Sequence, residues 1–108
     1  MALDHHAARV DALLQSMSLA EKVGQLVQSA PFRPADIAAY FAKKQQAEEA
    51  GETLVLQIEP RPDLDELIRS GRVGSLLNVS DLTLLNHCQR VAVEESRLGI
   101  PLITGHDV

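Results

Sequence analysis

The sequence predicts an α/β fold whose best-defined part is a strand–helix–strand unit with parallel strands. Three observations carry that expectation. Val73 to Val79 (VGSLLNV) is a mostly apolar run of the kind found in strands buried on both faces. Ile100 to Thr104 (IPLIT) is a second such run. Between them, residues 80–97 carry apolar side chains at helical spacing, and a repeat of about 27 residues fits a βαβ unit. A right-handed crossover makes the two strands parallel. A length of 108 residues allows one domain at most.

The elements follow in order. Val10, Leu13, Leu14 and Met17 fall at i, i+3, i+4 and i+7, which is one face of an amphipathic helix over about residues 4–16. Ser18 and Glu21 have capping-box spacing: the serine oxygen takes a backbone N–H, and the glutamate reaches back. The helix they open should turn Leu19, Val23, Leu26 and Val27 inward. Gly24 weakens that helix by about 1 kcal/mol relative to Ala. Close packing on a neighbour would account for a glycine there. Pro31 and Pro34 interrupt the chain, and residues 35–50 are rich in helix formers, with Gly51 as the stop. The KKQQAEEA half of that helix is polar all round and reads as a solvated surface. Residues 53–58 (TLVLQI) read as a short strand ended by Pro60 and Pro62. Asp63 to Arg69 forms a short helix that stops at Gly71. Ser80 is placed to cap the helix running to about Arg97, with Leu84, Leu85, Cys88, Val91, Ala92 and Glu95 inward and Gly99 at its end.

A parallel sheet needs more than two strands and helices over both faces. The edge of strand 100–104 would also stand unpaired. The expectation is therefore the first part of a larger barrel or sheet, cut where a βα loop should begin.

Composition excludes several classes. A net charge of −5 and a pI near 5.2 argue against a nucleic-acid binder, which needs a basic face. Only 3% of residues are aromatic and none is Trp, so a complete sugar-stacking site is not expected within these residues. Cys88 is the sole cysteine, which excludes an internal disulfide framework. No apolar run approaches the roughly 18 residues of a membrane span. The N-terminus carries an acid and two histidines and does not read as a signal peptide, so a cytoplasmic location is expected for the sequence as written.

Several residues invite a chemical reading, and a plainer one stands beside each. His5 and His6 are adjacent and do not share a helix face, so a solvated terminus is favoured over a metal site. His87-Cys88 is a weak metal signal, and Cys88 falls on the apolar face as a core thiol. Glu94 and Glu95 lie on different faces, which argues against an acid/base pair; Glu95 could meet an arginine across the helix packing. Asp63, Asp65 and Glu66 suit the capping and charging of a helix start. His106 and Asp107 point to opposite sides of an extended segment, which argues against a dyad. Asn78 and Ser80 follow the first of the two strands on the rim that also carries Asp107; they could approach a substrate there, with a turn or capping role favoured. No cofactor or metal is expected.

Three stretches carry a resemblance. RVDALL (9–14) with MSLAEKVGQ (17–25), then LIRSGRVGSLLNV (67–79), then NHCQRVAVEESRLGIPLITGHD (86–107), resemble in order and spacing the opening of family-3 glycoside hydrolases. The resemblance implies lead-in helices over 1–28, a variable insertion over 29–62, and the first βαβ unit of a (β/α)8 TIM-type barrel over 63–108. The GHDV string (105–108) is like that of the β-glucosidase and β-xylosidase branch rather than the N-acetylglucosaminidase branch. The implied activity is a retaining β-glycosidase that removes terminal non-reducing β-D-glucosyl residues from glycosides or oligosaccharides. Two carboxylates roughly 5–5.5 Å apart perform that chemistry. In the family one lies on a later barrel strand and the other in a following α/β domain, so none of the catalytic residues is expected in this chain. Asp107 matches the family's aspartate that binds sugar hydroxyls in the −1 subsite. The resemblance also allows a periplasmic or secreted parent enzyme. The alternative is a non-catalytic interaction module, or a pseudogene product, that keeps the first βα elements.

Overall fold

The computed structural model describes residues 2–53 and 58–107. The centre of the strand expected over 53–58 lies outside them. Helix α1 (Ala2–Ser16) is followed by α2 (Leu19–Gln25), strand β1 (Gln28–Ser29), α3 (Pro34–Glu49) and α4 (Leu64–Arg69). Strand β2 (Ser75–Leu77), helix α5 (Leu82–Arg90), a π-helical turn (Val91–Glu95) and strand β3 (Ile103–Gly105) complete the order. Among the described residues no helix is long and apolar enough to cross a membrane.

The capping box forms as its spacing predicts. The Glu21 N–H donates to Ser18 Oγ at 3.2 Å, and the Ser18 N–H donates to Glu21 Oε1 at 3.0 Å. Two of the orphan donors at the start of α2 are thereby satisfied. Pro34 opens α3 in the first turn, where its missing N–H costs nothing. Gly51, Gly71 and Gly99 all have positive φ just past helical segments, as their places in the sequence require.

The sheet is parallel throughout, in the order β1-β2-β3. Its register sets Gln28 beside Ser75 and Ser75 beside Ile103, then Ser29, Leu76 and Thr104 in the next row, with Leu77 beside Gly105. Strands that follow in sequence lie side by side, so the sheet advances in one direction without reversing. The two later strands are those the sequence predicts, with three residues each: β2 lies inside the expected 73–79, while β3 starts three residues later than the expected 100–104 and ends one residue beyond it. β1 is an additional strand, which precedes the one read as first. It falls across the expected boundary at residue 28, and α3 occupies the segment read as a variable insertion.

One hydrophobic core lies on the helical side of the sheet. Leu64 and Ile68 of α4, Leu76 of β2, Cys88 of α5, Val91 and Ala92 of the π turn, and Val73, Val79 and Leu102 are all buried. Fully burying a Leu-sized side chain stabilises by about 1.5–3 kcal/mol. Two polar ties close this core. The Gln89 carboxamide brackets Leu102, accepting its N–H and donating to its carbonyl, each at 2.8 Å. Arg69 pairs with Glu95 at 3.0 Å, so Glu95 meets an arginine across the helix packing but at the core's exposed edge, not on the inward face where the helical spacing put it.

Three further local expectations are corrected. Leu19, Val23, Leu26 and Val27 do not turn inward; Leu19 and Leu26 are 79% and 87% exposed. The helix is seated through Gly24 instead, where an added Cβ would lie 1.8 Å from the Gly71 carbonyl oxygen. Leu19, Val23 and Leu26 lie about 100–160° round the helix from Gly24, so seating that glycine turns them away. The cap of α5 is Asp81 rather than Ser80, because its carboxylate accepts the Thr83 N–H at 2.9 Å. Asp63 occupies the N-cap position of α4, but its carboxylate makes no cap bond and is bound to Arg61 at 2.7 Å.

Candidate functional site at the sheet rim

The site begins where the β2–β3 ladder ends. Leu77 and Gly105 are its last paired residues. One step on, the Asn78 N–H donates to the Gly105 carbonyl at 2.8 Å, extending the zipper past the strands. Asn78 has φ of +62°, the left-handed region that Asn tolerates better than most residues. Its backbone turns there, while the neighbouring Val79 is buried in the core. The Asn78 side chain then reaches across: Oδ1 accepts the Asp107 N–H at 2.8 Å. The backbone of Asp107 is thus tied to β2 on a rim at the carboxyl ends of parallel strands.

Asp107 itself is exposed, and no other described residue bonds to its carboxylate. The side chain is free to accept hydrogen bonds from a ligand, and an ionised acceptor makes those bonds short and strong. His106 and Ser80 are also exposed near this rim. On the β1 side, Arg61 donates to Ser29 Oγ at 3.4 Å, and its backbone N–H donates to the Pro31 carbonyl at 2.7 Å. Arg61 hydrogen-bonds both Asp63 oxygens, which holds that carboxyl below its usual range. Sequence reasoning passed over Ser29 and Arg61. Neither stands in a pattern, and their contact spans 32 residues.

The remaining candidates lie elsewhere. His87 Nε2 sits 2.8 Å from an Asp65 oxygen, joining α5 to α4. Arg90 approaches its other ring nitrogen at 3.2 Å. Cys88 is fully buried, and burial with the nearby Asp65 charge pushes its thiol up to about 11. It is a core thiol, as expected. Glu94 and Glu95 are on the π turn, Glu95 with its arginine. His5 and His6 are exposed on α1 with ring centroids 6.1 Å apart. A cleft between α3 and α5, bordered by Tyr40, Thr83, His87 and Arg90, does not include Asp107.

As an exposed carboxylate, Asp107 can accept hydrogen bonds from hydroxyl groups. Compared with models of protein families and with curated proteins, the chain matches none.

Proposed function

We propose that this chain is the opening part of the barrel of a retaining β-glucosidase-type glycoside hydrolase, in which Asp107 binds hydroxyls of the non-reducing sugar. The observation that carries the reading is the presentation of Asp107. Its backbone is fixed by Asn78 while its carboxylate is left open at the carboxyl end of a parallel strand. Enzymes built on parallel α/β barrels draw their site residues from that end. A carboxylate there accepts from two sugar hydroxyls, and such bonds strengthen as the ring distorts toward the transition state. The sheet also advances in one direction with α4 and α5 packed in one core, as a barrel requires. The quoted sequence stretches supply the family. They assign the nucleophile and the acid/base to positions that none of these residues matches.

The reading is tested in two steps. Residues 1–108 alone should not hydrolyse 4-nitrophenyl β-D-glucoside; turnover by this chain would overturn the placement of its carboxylates. The DNA following codon 108 should continue in frame to a second aspartate motif on a later strand. In that product Asp107→Ala should lower kcat/KM by about 10²-fold or more, the scale of losing one strong transition-state contact. A stop codon directly after Val108 would sink the enzyme reading and leave the non-catalytic module or the pseudogene product.

A further inference from the structure

We infer that Asn78 is a positioning residue for the Asp107 carboxylate. The inference rests on the glycosidase reading for its consequence and on geometry alone for its mechanism. The β2–β3 ladder ends at Leu77 and Gly105, so nothing in the sheet itself fixes the direction of residues 106 and 107. Asn78 supplies what the ladder lacks. Its N–H holds the Gly105 carbonyl and its Oδ1 holds the Asp107 N–H, both at 2.8 Å. Two bonds from one residue thus bracket the turn that leads to the carboxylate. Asn78 is anchored in turn: Leu76 and Val79 on either side of it are buried.

The residue type fits the task. The position needs positive φ, which Gly or Asn adopts with least strain. It also needs an acceptor, which Gly lacks. Asp would supply one, but would set a second negative charge beside Asp107. Asn alone of the three combines the backbone, the acceptor and neutrality. Its Oδ1 is the acceptor because the partner is an N–H, and that assignment fixes the orientation of the carboxamide.

The test uses Asn78→Gly and Asn78→Asp in the protein translated from the complete reading frame, with single-residue hydrogen exchange and kinetics. Asn78→Gly keeps the backbone conformation and deletes the acceptor. It should speed exchange of the Asp107 N–H about 10-fold, the scale of one lost hydrogen bond, while the Leu76 amide stays protected. Its kcat/KM for an aryl β-glucoside should fall about 10- to 100-fold. That loss should shrink for the monodeoxy glucoside lacking the hydroxyl that Asp107 holds, whereas a purely structural defect would lower both substrates alike. Asn78→Asp keeps an acceptor, so its Asp107 N–H should stay slow. Unchanged exchange and kinetics in Asn78→Gly would overturn the inference. Should Asn78→Gly unfold the sheet, Asn78→Asp decides: free-peptide exchange at Asp107 there overturns it. A wild-type protein without glucosidase activity would defeat the function proposed above, while the exchange results would still decide the role of Asn78.

Discussion

Glu21 serves two partners at once. It accepts the Ser18 N–H to complete the capping box, and it pairs with Arg97, whose guanidinium also donates to the Ser16 carbonyl at 2.7 Å. The Arg97 hydrogen bond, then the Ser18 N–H, pull the Glu21 carboxyl from 4.5 down to about 2. The folded state therefore favours the ionised form more than the unfolded chain does. The stabilisation is complete above about pH 4.5 and is lost as pH falls toward about 2. Glu21→Gln should flatten the acid limb of a plot of urea midpoint against pH in that window; an unchanged slope would show that other acids carry it. Cys88 behaves in the opposite sense. Its raised thiol stays protonated at pH 8, so the native chain should react with a disulfide reagent at least about 10²-fold slower than the urea-unfolded chain. Equal rates would mean that the helical side of the sheet opens freely. Both roles were partly visible in the sequence. The capping box is a local spacing, and Cys88 falls on an apolar stripe. The Arg97 contact spans 76 residues and has no local signature.

The elements are legible to different degrees, for physical reasons. Helices α1, α3 and α4 sit where periodicity and stop residues place them, because a helix is written in local spacing and local caps. The strands are read less fully. β1 has two residues, too few for any pattern, and forms because β2 offers it a partner. Gly74 allows that approach: a Cβ there would lie 2.6 Å from the Gln25 carbonyl oxygen. Gly24 gives the sharper test of what decides an element. Helix propensity alone says that Gly24→Ala should stabilise by about 1 kcal/mol. Packing says the reverse, since the new Cβ would meet backbone atoms of Gly71 and Arg72. Forcing atoms into such a contact costs about 1–3 kcal/mol or more. Net destabilisation in urea unfolding is the expected outcome; a stabilised variant would refute the close approach of α2 to the α4–β2 turn.

At the scale of the whole molecule the shape is extended. The radius of gyration is 17.7 Å, against about 13 Å for a compact domain of this length. Val10, Leu14, Leu19, Val23, Leu26, Phe41 and Ile103 are exposed. Their apolar area contributes nothing to stability while it stays wet. Residues 1–108 alone should therefore unfold over a broad temperature range and bind a hydrophobic dye before heating. A sharp cooperative transition without dye binding would contradict that and favour the non-catalytic module. Ile103 shares a register row with Gln28 and Ser75, on the opposite side of the strand from buried Leu102. In the barrel proposed above, this is the face that further strands would cover.

The sequence by itself determined the parallel βαβ unit, the capping box, the core position of Cys88 and the place of Asp107 just past a strand. Each depends on neighbours within a few residues or on one apolar periodicity. Only the tertiary structure decided that α2 seats on a glycine, that a third strand joins the sheet, and that Asn78 holds Asp107. Those outcomes depend on contacts between groups 29 or more residues apart in the chain. Asp107 is singled out by its string of neighbours, but the bond that holds its backbone comes from Asn78, at the end of the neighbouring strand β2.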